Sequence, residues 1–210
     1  MNKIYDVTTL KLLTKHNIPN NIITIFVETE SMKKEYTKIL NNQYHIIVTN
    51  TKGVGEKRNF LELYGFEKAK HLGIKLQVLN IDDDIKEIID YDKPLKNLDV
   101  MINIGFSMCR NGGYNLWGVS PFHNKFFLQK TITNTNKYIA GAFFGMIFDI
   151  TKEMVFVDID HGEDLQRSME CFLRDGGVVR LNEIALITDY FPESGITAYC
   201  GGKEKRKIEM

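Results

Sequence analysis

Two groups of carboxylates stand apart from the rest of the chain by type and spacing. Asp82, Asp83 and Asp84 close an apolar run (Leu76, Val78, Leu79, Ile81), and Glu163 and Asp164 open a run with helical periodicity. Three adjacent negative charges repel unless something neutralises them. On a strand, alternate side chains share a face, so Asp82 and Asp84 can converge on one spot while Asp83 points away. Two such carboxylates suit a hard divalent cation, which completes its shell with phosphate oxygens and water. A solvated acidic turn is the other reading of the same residues. At the second group, a carboxylate in the first turn of a helix is held as an anion by the helix dipole, the state a general base requires. That argument selects Asp164, because Asp160 and Glu163 also read together as a capping box. Asp158 and Asp160 end another apolar run, Met154 to Val157, and form a rival cation site.

The elements that must position these groups follow from periodicity. Residues 22–27 are a β-rich run ending at Glu28, residues 31–42 carry a helical stripe (Met32, Tyr36, Ile39, Leu40), and residues 45–49 form a second strand. Strand, helix, strand in sequence marks a parallel α/β unit. Gly53 and Gly55 then mark a loop, followed by a helix with Phe60, Leu63, Tyr64 and Ala69 on its apolar side that stops at Gly73. A glycine loop opening a helix can cradle phosphate, although Gly-x-Gly falls short of the full dinucleotide fingerprint. Arg58 stands near that helix start, where the dipole disfavours a cation, so an anionic ligand or the acidic cluster is its expected partner. The following strand delivers Asp82 to Asp84. Ligands of open α/β sheets sit outside the carboxyl ends of strands, and an acidic pair with an arginine nearby describes a nucleotide-diphosphate site.

Further along, residues 85–98 read as a short amphipathic helix and a turn, and residues 100–105 as a strand. Residues 110–124 read as an irregular loop whose Asn115, Trp117 and His123 offer amides, an aromatic face and an imidazole. Such groups suit a sugar pocket; Trp117 as core packing is the alternative. In the apolar stretch 138–148, Gly141 and Ala142 permit close backbone approach. Leu165, Met169, Phe172 and Leu173 form the apolar stripe of a helix ended by Gly176 and Gly177. A last strand occupies 178–190, and residues 201–210 are a charged, glycine-led tail that suggests a linker to a further domain.

Composition sets the frame. The 210 residues carry 27 basic and 27 acidic side chains, a balance that gives no footprint for nucleic acid or a membrane surface. Cys109, Cys171 and Cys200 match no zinc or redox spacing. Neither a signal-peptide core nor a membrane-length apolar stretch is present, which leads to the expectation of a cytoplasmic protein.

The ordered set Gly53 to Asn59 (Gly-x-x-x-x-Arg-Asn), a helix, and an apolar strand ending in Asp-Asp-Asp resembles the nucleotide-sugar half of a GT-A glycosyltransferase, in particular a chlorella-virus glycosyltransferase domain. The resemblance covers nearly the whole chain. It implies one α/β, Rossmann-type domain over 1–200 with a mixed central sheet flanked by helices. The nucleotide half would span about 20–100, the acceptor half about 101–200, and residues 201–210 would be tail or linker. It implies a metal-dependent enzyme that moves a sugar, with inversion, from a UDP-sugar such as UDP-glucose or UDP-rhamnose to a glycan or glycoprotein hydroxyl. Asp82 and Asp83 would contact the nucleotide, Asp84 with Asp82 would hold Mn²⁺ or Mg²⁺, and Glu28 and Arg58 would complete the donor site. Gly141 and Ala142 would lie beside the donor sugar, and Asp164 or Glu163 would act as base. If the chain is viral, the host cytoplasm is the expected location. A sugar-phosphate nucleotidyltransferase and a non-catalytic carbohydrate-binding module are the alternatives. The first lacks its glycine-rich signature over 28–45, and the second leaves Asp82, Asp84 and Arg58 without a task.

Overall fold

The structure, a computed structural model, describes residues 8–188. In chain order its elements are α1 (Thr8–Lys15), β1 (Thr24–Val27), α2 (Glu30–Ile39), β2 (His45–Val48), α3 (Gly53–Leu72), β3 (Leu76–Ile81), β4 (Ile85–Asp90) and β5 (Lys93–Pro94). Then follow α4 (Leu98–Gly112), β6 (Leu116–Ser120), β7 (Ile132–Thr133), β8 (Phe143–Phe148), α5 (Glu163–Asp175) and β9 (Val179–Thr188). The fold is α/β with a mixed sheet. Strands run in the order β3-β8-β6-β9-β4-β5, with β7 on β9, and β1 and β2 form a separate parallel pair. Only β6 and β9 are parallel within the large sheet; β3–β8, β6–β8 and β4–β9 are antiparallel.

The elements from β1 to β3 follow their local patterns. The α2 N-cap is Thr29, whose hydroxyl accepts from Met32 N at 3.2 Å. Helix α3 stops at Gly73, whose φ of 65° is left-handed and suits glycine. β1 packs on α3 through Phe26, whose ring lies edge-on to Tyr64 at 5.4 Å.

Two segments adopt the opposite structure to the one their sequence suggests. Residues 85–90 form β4, not a helix. A bulge between Ile85 and Glu87 adds a residue, so Ile85 and Ile88 are both buried at a spacing of three that imitates a helical turn. Residues 100–105 lie inside α4, whose buried residues Leu98, Met101, Gly105, Phe106 and Cys109 recur at helical intervals. Reading only 100–105 truncates that periodicity and leaves an apolar run that a strand fits equally well.

The core centres on Trp117, in the stretch 110–124 that reads as a loop. Residues 110–112 finish α4 instead, and β6 is buried throughout. Gly105 and Gly145 make room for the indole, since a Cβ at either would lie 2.4 Å or 1.9 Å from its atoms. Phe106 and Phe143 pack edge-on at 5.5 Å and 6.0 Å. With no exposed surface, Trp117 is packing and cannot serve as a sugar platform.

Helix α5 turns much of its apolar stripe outward. Leu165, Met169 and Leu173 are exposed and only Phe172 of the expected stripe packs against the core, while Glu163, Arg167, Ser168 and Cys171 are buried. The strand expected at 154–157 is an extended segment that joins no sheet among the described residues. Two of its N–H groups are taken by side chains of α3: Glu62 accepts from Val155 N at 3.0 Å and Asn59 from Val157 N at 2.9 Å. Leu63 of α3, expected on the apolar side, is exposed. Cys109 and Cys171 are free and buried, while Cys200 and the tail 201–210 lie outside the described residues.

Candidate functional site

The carboxyl end of β3 places Asp82, Asp83 and Asp84 in a tight turn before β4. Asp83 is exposed while Asp82 and Asp84 are half-buried; β3 ends at Ile81, so the turn and not the strand pleat sets where these side chains stand. Thr9 at the start of α1 holds this turn in place. Its hydroxyl donates to Asp82 O at 2.6 Å and accepts from Ile85 N at 3.0 Å, and Thr9 N donates to Asp83 O at 3.3 Å. Sequence reasoning missed Thr9, because nothing within α1 marks a residue that bonds to a turn more than 70 positions away.

Arg58 is the hub of the site. Its Nη2 donates to Asp82 Oδ1 at 3.1 Å and to Gly141 O at 2.9 Å, and its Nε donates to Glu163 Oε1 at 3.3 Å. The Arg58 and Glu163 side chains are 11% and 9% exposed, against 41% for Asp82. Burial opposes the charge of Arg58, but the Asp82 and Glu163 carboxylates overcome it and hold its pKa above the ordinary arginine value. Arg58 is therefore committed to carboxylates of the protein, consistent with one of its two expected partners.

Asp164 is equally engaged. Its Oδ2 accepts from the Tyr138 hydroxyl and from Gly141 N at 3.0 Å, and its Oδ1 accepts from Leu165 N at 2.9 Å. Burial, reinforced by the Asp164 hydrogen bond, raises the Tyr138 pKa, so the phenol stays protonated and donating. Gly141 is thus gripped at both its carbonyl and its N–H. Ala142 O accepts from Asp82 N at 2.9 Å, continuing the β3–β8 ladder into the acidic turn. Sequence reading selected Gly141 and Ala142 for their small size; the structure bonds Ala142 to Asp82 and sets Gly141 between Arg58 and Asp164.

Two expectations need correction. The glycines at 53 and 55 lie in the first turn of α3, and that helix start is already occupied by an internal anion, Asp160. Its Oδ1 accepts from Gly55 N at 2.9 Å, and a Cβ on Gly53 would lie 2.6 Å from the same oxygen. The cradle expected for phosphate therefore holds a carboxylate of the protein. The capping box Asp160-x-x-Glu163 does not form, because Asp160 caps α3 and Glu163 turns to Arg58; the α5 N-cap is Gly162, with no side-chain cap. Of the rival pair, Asp160 is taken by the α3 start and Asp158 accepts from Gln166 Nε2 at 3.3 Å in an exposed contact.

The remaining expected residues stand outside the hydrogen bonds of the Arg58 hub. Glu28, past β1, pairs with Lys57 of α3 at 3.0 Å. Asn115 is buried and its Oδ1 accepts from Lys152 Nζ at 3.0 Å, a structural link beneath β6 rather than a ligand contact. His123 is exposed on the segment after β6.

Beside the hub lies a side chain that sequence reading did not select. Arg167 is 3% exposed, with its carbon Cζ 3.7 Å from the centre of the Phe144 ring. None of its guanidinium nitrogens has a hydrogen-bond partner. Burial and the nearby Arg58 charge pull its pKa down to about 10. It borders a cavity of about 10 Å³ shared with Glu62 and Asn80, about the space one water molecule requires.

Among the described residues, no group of three or more His, Cys, Asp or Glu side chains is arranged to hold a metal. Asp82 and Asp84 supply two carboxylates. That donor set fits a hard divalent cation such as Mg²⁺ or Mn²⁺, which uses one or two protein carboxylates and takes its other ligands from phosphates and water. No helix among the described residues is long and apolar enough to cross a membrane. No protein-family model matches the chain, and no curated protein matches it significantly.

Proposed function

We propose that the chain is a metal-dependent glycosyltransferase that takes a sugar from a nucleotide-diphosphate donor, UDP being the preferred nucleotide, and passes it to a hydroxyl of a glycan acceptor. The observation that carries this reading is the turn after β3. Asp82 and Asp84 stand half-buried just past a strand's carboxyl end, Thr9 holds the turn through Asp82 O, Asp83 O and Ile85 N, and Arg58 bonds the Asp82 carboxylate.

In this reading Asp82 and Asp84 bind the cation that accompanies the diphosphate. When bound, that cation supplies positive charge against the charge developing on the leaving group. Arg58 orients Asp82 and, through Gly141 O, fixes the backbone that would border the donor sugar. Glu28, Lys57 and Asp83 flank the nucleotide. Asp164 is the acceptor's base. Its Oδ2 already accepts from a hydroxyl, that of Tyr138, which holds the place an acceptor hydroxyl would take. Removing a proton there makes the acceptor oxygen the nucleophile at the anomeric carbon, with inversion.

The testing experiment is a thermal-shift titration of UDP, GDP and ADP with and without Mn²⁺, since a ligand that binds only the native state raises apparent stability. The expected result is stabilisation by UDP that requires Mn²⁺ and disappears in Asp84→Asn. Equal protection by all three nucleotides, or none, would end the reading. Retained Mn²⁺ dependence in Asp84→Asn would move the cation elsewhere.

A further inference from the structure

We propose that residues 121–130 form a docking knob that places phenylalanine rings into the surface of an anionic lipid bilayer. Phe122, Phe126 and Phe127 are 58%, 86% and 55% exposed, and Phe126 has the highest fractional exposure among the exposed large hydrophobic side chains. Their rings touch one another, Phe127 lying 5.5 Å from Phe122 and 5.3 Å from Phe126. A contiguous exposed aromatic cluster calls for an apolar partner.

The backbone beneath the rings is tied down. Ser120 Oγ accepts from Phe122 N at 3.3 Å, Asn124 Oδ1 accepts from Phe126 N at 3.0 Å, and Gln129 N donates to Asn182 O at 3.2 Å. Leu128 is buried and anchors the far side. The rings are therefore held outward by a fixed support.

Lysines rim the cluster. Lys125 and Lys130 place their ammonium groups 4.9 Å and 5.1 Å from the Tyr91 ring. Residues 121–130 contain no carboxylate. Asp92 nearby is neutralised by Lys125 at 2.8 Å, and Asp90 stands opposite Lys93 in the β4–β5 register. Among the described residues Lys130 makes no ion pair, so its charge stands open at the rim, where an anionic headgroup complements it.

Shape and area choose the occupant. Three rings of this exposure offer on the order of 300–500 Å², well below the roughly 800 Å² per partner that a stable protein interface needs. A bilayer needs no matching pocket, and lysine stems can lie along its surface with their heads in water. Single-stranded nucleic acid would want a continuous cationic groove, which a balanced rim with one surplus lysine does not supply.

The experiment uses the full chain carrying Phe126→Trp. Because the native Trp117 is buried, the new indole reports the knob. Vesicles of phosphatidylcholine with and without phosphatidylserine are added at low and high salt. The expected result is a blue shift, with quenching by brominated lipid, on the serine-containing vesicles and its weakening by salt. Co-sedimentation of the unlabelled chain should fall at least ~10-fold in Phe126→Ser/Phe127→Ser and ~5-fold in Lys130→Gln, with thermal midpoints unchanged because all three side chains are outside the core. The proposal is overturned by any of four results. These are no shift on either vesicle, emission already blue in buffer (the knob is covered by the chain itself or a second copy), binding that survives the double serine change, and a response to oligothymidylate but not to vesicles.

Discussion

Arg58 and Asp164 hold opposite ends of a single residue, Gly141. Arg58 Nη2 donates to the Gly141 carbonyl at 2.9 Å, and Asp164 Oδ2 accepts from the Gly141 N–H at 3.0 Å. A buried cation and a helix-start carboxylate thereby set the backbone that faces the acidic turn. The position is also closed to larger side chains, since a Cβ there would lie 2.9 Å from Glu163 Oε1 and 3.3 Å from Arg58 Nη2. Gly141→Ala should therefore cost about 1–3 kcal/mol, the usual penalty of overpacking, and weaken nucleotide-diphosphate binding at the same time. Urea unfolding and calorimetric titration with UDP and Mn²⁺ would measure the two effects; an unchanged pair of values would mean that the grip on Gly141 is slack.

Removing Arg58 should be among the most damaging single changes. Arg58→Met strands Glu163, whose side chain is 9% exposed, and breaking a buried pair on one side costs about 3–5 kcal/mol. Adding Glu163→Gln should restore part of that loss, because the stranded charge goes too. Arg58→Lys should not rescue it, since one ammonium cannot reproduce a planar fork that serves three acceptors. A double-mutant cycle on unfolding free energy gives the coupling, and a coupling near zero would show that Arg58 and Glu163 do not depend on each other.

Arg167 makes the opposite prediction. Its guanidinium is buried without a hydrogen-bond partner, and an unsatisfied buried polar group costs about 1–3 kcal/mol. Arg167→Met keeps most of the bulk over Phe144 and should leave the protein as stable as before or more so. Denaturant midpoints test this. A clear loss of stability would reveal that Arg167 is satisfied in solution, with water in the neighbouring cavity as its first candidate partner.

Glu62 should impose a pH dependence of definite sign. Burial raises its pKa above the ordinary 4.5, against the lowering by Val155 N–H and by the Arg174 and Arg167 charges. With the folded-state pKa raised, its contribution to stability is full below the unfolded value and declines as pH rises through the folded value. Glu62→Gln keeps the side-chain oxygen that accepts from Val155 N. The variant should therefore gain on wild type as pH goes from 4 towards 7, with the advantage vanishing at the acid end. Thermal midpoints across that range would show it, and a variant that loses ground at neutral pH would reverse the assignment.

Asp164 separates chemistry from architecture. If it is the base, Asp164→Asn should cut transfer by roughly 10²–10⁴-fold while UDP–Mn²⁺ affinity stays near wild type. Tyr138→Phe, which removes only the hydroxyl on Oδ2, should keep most of the transfer activity. Should Asp164→Asn lower only the thermal midpoint, the carboxylate is an anchor for Gly141 and the base lies elsewhere, with His123 the next residue to test.

The sequence by itself determined the features whose causes are local. The strand that runs into Asp82, Asp83 and Asp84, the stop of α3 at Gly73, the α/β alternation from β1 to β3 and the α5 span all follow from apolar runs, glycine and periodicity a few residues long. Where those causes run out, the tertiary structure decided. The bulge in β4 put Ile85 and Ile88 at a helical spacing on a strand. The apolar stripe of α5 did not by itself choose the buried face; hydrogen bonds from Arg58 to Glu163 and from Ile139 N to Ser168 took the polar side inward. Asp160 and the phosphate-like cradle at Gly53 and Gly55 lie more than 100 residues apart, and only folding let one fill the other. Trp117 is legible as important in either reading, but whether an indole meets ligand or core depends on Gly105 and Gly145 arriving from α4 and β8. Local patterns fix which atoms a segment can offer, and long-range hydrogen bonds and close packing fix which of those offers are already taken.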